Sequence, residues 1–225
     1  MTDAAPTHTE PPSERCRVRR ASERGHYDRD TIDAIVDAAW VCHVAMAASD
    51  TADADMLCLP TASWRWGDAL CIHGSNGSRM MKRLAAGAPA CVSITHLDGL
   101  VLARSAFSHS MNFRSVVVHG RFDVLEGADK LAALDALMDH IAPGRRVHVR
   151  APDRNELAAT TVLAIPLHEA SAKIRNWGPH DKEGDAELPV WAGVLPLHSV
   201  RGRPQPDPGS EALPLPAHLQ HWLQP

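Results

Sequence analysis

Residues 55–87 read DMLCLPTASWRWGDALCIHGSNGSRMMKRLAAG. Two apolar runs, 55–64 and 68–73, flank Arg65-Trp66-Gly67-Asp68, a Gly-Asp turn tight enough to fold one run back on the other as a hairpin. The second run stops at His73, passes through a small-residue turn, and opens a helix expected over 78–86 with Gly87 as its C-terminal cap. A strand that returns through a hairpin, with no crossover helix, argues for antiparallel pairing.

The same pattern extends in both directions. Upstream, WVCHVAMAA at 40–48 is a strand, and DRDTIDAIVDAAW at 28–40 is a helix burying Ile32, Ile35, Val36 and Ala39, capped by Asp30 or Thr31. Downstream, PACVSITHLDGLVLARS at 89–105 reads as two strands joined at Leu97-Asp98-Gly99, and FRSVVVHGRFDVLE at 113–126 as a long strand with a bulge at Gly120. GADKLAALDALMDHIAPG at 127–144 is an amphipathic helix with Leu131, Leu134, Leu137, Met138 and Ile141 on its apolar face. RNELAATTVLAIPL gives a short helix and a strand, and ASAKIRNWG a last strand. About five or six strands, mostly joined by hairpins, predict a mainly β (α+β) fold, an antiparallel barrel with peripheral helices.

The 225 residues suit one domain with tails: a disordered tail over 1–18, the folded domain over 19–200, and a Pro-rich arm over 201–225 that lies on the surface or on a partner chain. A net charge of −4 gives no reason to expect nucleic acid or an anionic membrane as partner. No apolar run is long enough to span a bilayer, and the N-terminus lacks a secretory pattern, so a cytoplasmic, soluble protein is expected. The five cysteines are odd in number and show no C-x-x-C spacing, so they are expected to be reduced thiols rather than disulfides or metal ligands. The fourteen histidines are spread along the chain.

The turn after His73 carries the chemistry. A helix N-terminus leaves backbone N–H groups unpaired and carries partial positive charge, which suits a phosphate. Gly74 and Gly77 would let the backbone come close to a ligand, Ser75 and Ser78 add hydroxyls, Arg79 can grip a phosphate bidentately, and Lys82 adds charge a turn later. The spacing matches neither a P-loop nor G-x-G-x-x-G. From these residues alone, a phosphate cradle and an ordinary capped helix stand equally.

HGSNGSRM at 73–80, DGLVLARSAFSHSMNFRSVVVHGR at 98–121, SAKIRNWGP at 171–179 and PVWAGVLPL at 189–197 resemble the pyridoxamine 5′-phosphate oxidase-like flavin-binding proteins, in particular the nitroimidazole-resistance (nitroreductase) branch. The similarity runs from about Arg19 to Leu197. It implies an FMN-binding split β-barrel, a homodimer with one FMN per subunit at the interface. In that family the junction holds the FMN phosphate, which falls here on His73, Gly74, Ser75, Ser78, Arg79 and Lys82. Backbone at Leu59, Pro60 and Thr61 would border the isoalloxazine, and Ser110, Asn112 and Arg114 would close the site. Lys173, Arg175 and Trp177 would stand against the cofactor, although Lys173 and Arg175 also fit a solvated edge strand. Trp64, Trp66 and Trp191 are stacking candidates, or core.

The resemblance implies an FMN-dependent oxidoreductase moving electrons from NAD(P)H to a small oxidised acceptor such as a nitro compound or quinone. The extra basic motifs of true pyridoxamine phosphate oxidases are missing, so that reaction is not expected. His96 and His109 are the candidate acids or bases, since imidazole titrates near working pH. The alternatives are a haem protein, with His73, His96 or His109 as axial ligand, and a flavin carrier without turnover.

Overall fold

Gly67 takes a left-handed backbone (φ +56°), and the turn it makes holds two strands in register from Ser63↔Ile72 to Trp66↔Ala69. In the computed structural model, which describes residues 10–223, the elements are β1 (Gly25–His26), α1 (Arg29–Asp37), β2 (Val41–Ala47), β3 (Met56–Trp66), β4 (Ala69–Ser75), α2 (Arg79–Ala85), β5 (Ala90–Leu102), β6 (Ser110–Gly120), β7 (Asp123–Val124), α3 (Gly127–Ile141), α4 (Arg154–Ala159), β8 (Thr160–Pro166), β9 (Ala170–Arg175) and β10 (Gly193–Pro196). Every strand pairing is antiparallel, in the order β1-β9-β6-β5-β2-β3-β4-β8-β7, with β10 added to the far end of β5. The antiparallel architecture expected from the hairpins is therefore present, as one ten-stranded sheet that does not close on itself.

Two apolar clusters hold it. The larger joins Ile32, Ile35 and Val36 of α1 and Met81 and Leu84 of α2 to Val44, Met46, Leu70, Ile72, Ile94, Leu163 and Ile165. The smaller packs Trp64, Cys71, Val162 and Ala164 against Ala133 and Leu137 of α3. Neighbouring residues such as Cys71 and Ile72 enter different clusters, so β4 and β8 are covered on both faces. That is why ALCI and TVLAI are continuous apolar runs rather than alternating ones. Trp64 is fully buried, and its Nε1–H is satisfied by the Ala133 carbonyl at 2.8 Å.

Several local expectations are corrected. The cap of α1 is Asp28, whose carboxylate accepts from Thr31 N at 2.8 Å, earlier than the Asp30 or Thr31 expected. Residues 89–105 hold one strand, β5, because Leu97-Asp98-Gly99 forms a bulge rather than a turn. A Cβ on Gly99 would stand 3.0 Å from Val194 and 3.1 Å from the Leu195 carbonyl, so this glycine makes room for β10. Gly120 ends β6 instead of bulging it. In α3 the buried residues are Ala133 and Leu137, while Leu131 and Ile141 face outward.

The N-terminal tail also differs from expectation. Residues 1–9 lie outside the described residues, but 10–18 are not a free tail: Cys16 is buried, and Ser13 Oγ and Arg15 Nε both donate to Glu169 Oε2 at 2.7 Å. The Pro-rich arm folds back on its own chain, with Trp222 Nε1 donating to the Gly202 carbonyl at 3.0 Å.

Candidate functional site

The junction between β4 and α2 is built by local capping. Ser78 is the N-cap of α2, its hydroxyl accepting from Met81 N at 3.4 Å, and Ser75 Oγ accepts from Gly77 N at 3.1 Å. Asn76 ties the turn to the α4–β8 corner through Ala158 O at 2.6 Å and Thr161 Oγ1 at 2.7 Å. Gly74 serves packing: a Cβ there would stand 2.9 Å from Met81 Cγ. A Cβ on Gly77 would make only an ordinary 3.5 Å contact with Ser75 Oγ. Arg79, Lys82 and Arg83 line an open basic hollow of about 460 Å³ beside Gly77. Arg83 is engaged by Asp50 and the Ala47 carbonyl, Arg79 makes a 3.5 Å contact to Ala48 O, and Lys82 has no hydrogen-bond or ion-pair partner among the described residues.

Next to this hollow the sheet splits. β3 pairs with β2 along Met56–Ala62 but with β4 only from Ser63 onward, and β4 then continues against β8. Among the described residues the second edge of β3 is therefore unpaired over Leu59, Pro60 and Thr61, leaving backbone groups free to bond a ligand.

His73 points elsewhere. Ile72 enters the larger cluster, so alternation turns His73 to the opposite face, where its ring meets Trp64 edge-on at 5.6 Å. The imidazole makes no hydrogen bond among the described residues, and its Nδ1 is buried. Burial holds its pKa below the ordinary value, so it is neutral near pH 7. It lines a cavity of about 660 Å³ walled by Leu134, Leu137 and Met138 of α3, Val147 and Val149 of the following turn, and Leu157 of α4. Arg146 and Arg150 stand at the same cavity, Arg146 beside Asp135 (3.1 Å) and Arg150 beside Glu156, whose carboxyl it holds down to about 2.

The remaining candidates form separate groups. His96, Asp98 and Arg114 share a polar hollow of about 580 Å³ with Trp40 and His198. His96 Nε2 lies 3.0 Å from the Ile35 carbonyl, and Arg114 grips both oxygens of Asp98 at 2.9 Å, which lowers the Asp98 pKa. His109 is exposed near Ser105 O (3.0 Å), just before Ser110, which pairs with Val101 while His96 pairs with Arg114. About 13 Å of ladder separates those rungs, so the two histidines do not share a site.

Asn112 and Arg175 are buried together at the end of the sheet. Arg175 donates to Asn112 Oδ1, to Trp177 O (2.7 Å) and to Gly178 O (2.9 Å), and it stacks on Trp177 with Arg24 on the same ring. Lys173 Nζ donates to the Arg20 carbonyl at 2.8 Å. These side chains pin the N-terminal segment and the turn after β9.

Sequence reasoning missed Arg146, Arg150, Trp40 and His198. The available signal for the first two was the basic run RRVHVR at 145–150. The cysteines are free, as expected, and burial pushes Cys42 to about 11 and Cys71 to about 12, so neither is a nucleophile. No group of three metal-ligating side chains and no helix able to cross a membrane occurs among the described residues.

Comparison with known proteins places these features. The sequence model of the family described as pyridoxamine 5′-phosphate oxidase matches residues 28–174. No curated protein matches the chain. Among solved structures, the flavocytochrome Anf3 from Azotobacter vinelandii is 36% identical with a TM-score of 0.86, covering 94% of this chain and 97% of that one. The FAD and heme binding protein from Mycobacterium smegmatis is 38% identical with a TM-score of 0.83, covering 88% and 97%. A proposed 5-nitroimidazole antibiotic resistance protein from Bacteroides thetaiotaomicron shares the fold at 18% identity and a TM-score of 0.55, covering 67% and 86%. The antiparallel split sheet, its unpaired β3 edge and the match over most of the chain agree, and the protein belongs to the pyridoxamine 5′-phosphate oxidase family.

Proposed function

We propose that this protein holds a flavin and a haem in separate sites and passes electrons from NAD(P)H to a small oxidised acceptor. Haem, weighed from sequence as an alternative to flavin, becomes its companion. The observation that carries this is His73: an uncharged imidazole without a hydrogen bond among the described residues, in a largely apolar cavity, with Arg146 and Arg150 beside it. That donor set fits haem, which needs a neutral nitrogen ligand, apolar walls and cations for its two carboxylates. The volume lies within the roughly 300–1,000 Å³ usual for cofactor pockets. Both relatives that match nearly the whole chain are named for two redox groups.

When bound, the flavin supplies one- and two-electron chemistry and the haem one-electron chemistry. The chain's own work is to bind, orient and exclude water. Arg79 and Lys82 supply charge for the flavin phosphate, the free β3 edge supplies backbone partners for the ring, and the α3 wall keeps water from the His73 cavity. The flavin is FMN by the family resemblance, whereas the Mycobacterium smegmatis relative is named for FAD.

The test is the visible spectrum of purified protein reconstituted with haemin and flavin, with released flavin identified by mass. His73→Ala should lose the haem band near ~410 nm and keep the flavin bands near ~370 and ~450 nm. Arg79→Ala should do the reverse, losing most flavin while haem stays. If both variants retain both chromophores, the two-site assignment is wrong. Bleaching of the wild-type flavin by NADPH under nitrogen separates a reductase from a carrier.

A further inference from the structure

The Pro-rich arm closes on itself. Trp222 Nε1 donates to Gly202 O at 3.0 Å, and the Arg201 guanidinium lies 5.1 Å from the centroid of the same indole. From this loop His218 reaches the body and stacks its imidazole on His148, with centroids 4.4 Å and planes 9° apart. His218 Cβ also fills the space beside Gly144, where a side chain would meet it at 3.3 Å.

His148 ends the 3₁₀ turn Arg146–His148, and that turn supplies Arg146 and Val147 to the His73 cavity, with Val149 and Arg150 just beyond. The turn is thinly held otherwise. Val147 is 85% exposed, and the ion pairs Arg146–Asp135, Arg146–Asp139 and Arg150–Glu156 are all at the surface, where solvent screening leaves such pairs a weak hold. Beside these ion pairs to α3 and α4, the flat imidazole stack ties the cavity's outer wall to the C-terminal arm.

We propose that the C-terminal arm is the latch of the His73 cavity, and that His218 is the positioning residue through which it sets the residence time of the bound ligand. This rests on the cavity being the haem site. Haemin is the probe, bound to the full-length chain and then released into excess apomyoglobin. His218→Ala should speed release about tenfold, in keeping with affinity changes that appear mostly in the off-rate. His218→Phe keeps a flat ring over His148 and should stay within about twofold of wild type. Trp222→Ala opens the loop closure and should act in the direction of His218→Ala, a second route if that variant folds poorly.

Hydrogen exchange in residues 144–150 should rise in both alanine variants, with flavin content unchanged. Equal release rates for His218→Ala and wild type would overturn the latch. Haemin binding that survives His73→Ala with an unchanged spectrum would instead overturn the site assignment, so the two failures are told apart.

Discussion

An imidazole that lies beside Trp64 with a buried, unpartnered Nδ1 resists protonation, because the cavity wall replaces the water that would solvate its cation. The consequence for stability has a definite sign. The folded-state pKa of His73 lies below about 6.5, so around and below that pH the unfolded chain binds more protons and stability falls. Well above 6.5 both states are neutral and His73 contributes no slope. The urea midpoint of the cofactor-free protein should therefore drop between pH 7.5 and 5.5, and His73→Gln should reduce that drop while leaving other titrating groups in place. An equal drop in both proteins would show that His73 is not the group responsible. Sequence marked His73 in two ways, as a member of the anion cradle that follows it and as a possible haem ligand, without deciding between them. Its actual surroundings come from α3, α4 and the turn between them, far along the chain, and no local pattern states which helix will cover which strand face. Arg79 and Lys82 were legible because the cations and the turn that presents them are adjacent in sequence.

At the scale of elements, local signals were read well where turn chemistry and periodicity agreed. The β3–β4 hairpin, α2 with Gly87 as cap at φ +81°, and the α4–β8 junction all follow from nearest-neighbour preferences. Failures came where a distant strand reinterprets a local motif. Leu97-Asp98-Gly99 looks like a hairpin turn, and becomes a bulge because β10, a four-residue edge strand ending in Pro196, docks across Gly99. Gly74 is a comparable case. It reads as a residue cleared for a ligand, yet the space its missing side chain leaves is taken by Met81, which is 1% exposed and anchors α2 to β4. Gly74→Ala should therefore overpack this seam and cost about 1–3 kcal/mol, seen as a lower urea midpoint at unchanged slope. Gly77, with no comparable neighbour, should accept alanine with a far smaller change. If Gly74→Ala is neutral for stability but loses flavin, the glycine serves the ligand after all.

For the whole molecule, the two proposed sites differ in how complete one chain leaves them. The His73 cavity is walled by a single chain through α3, α4 and the turn between them. The region beside β3 is open: its edge is unpaired, and Met56 (71% exposed) and Leu59 stand in solvent. On the same sheet Leu100 and Met111 sit directly opposite each other and are also exposed. Apolar pairs of this kind on exposed strands mark a candidate contact surface, since leaving them in water forgoes about 25 cal/mol per Å², and a second copy is the occupant to test. Light scattering on the purified protein should give a mass twice the 24.4 kDa of one chain. Leu100→Glu places a carboxylate in the apolar pair and should shift the protein toward one chain's mass. Because the flavin region is the one left open, that monomer should lose flavin and keep His73-dependent haemin binding. A monomer that retains both groups would mean that each chain completes both sites alone, and the exposed pair would then need a partner other than a second copy.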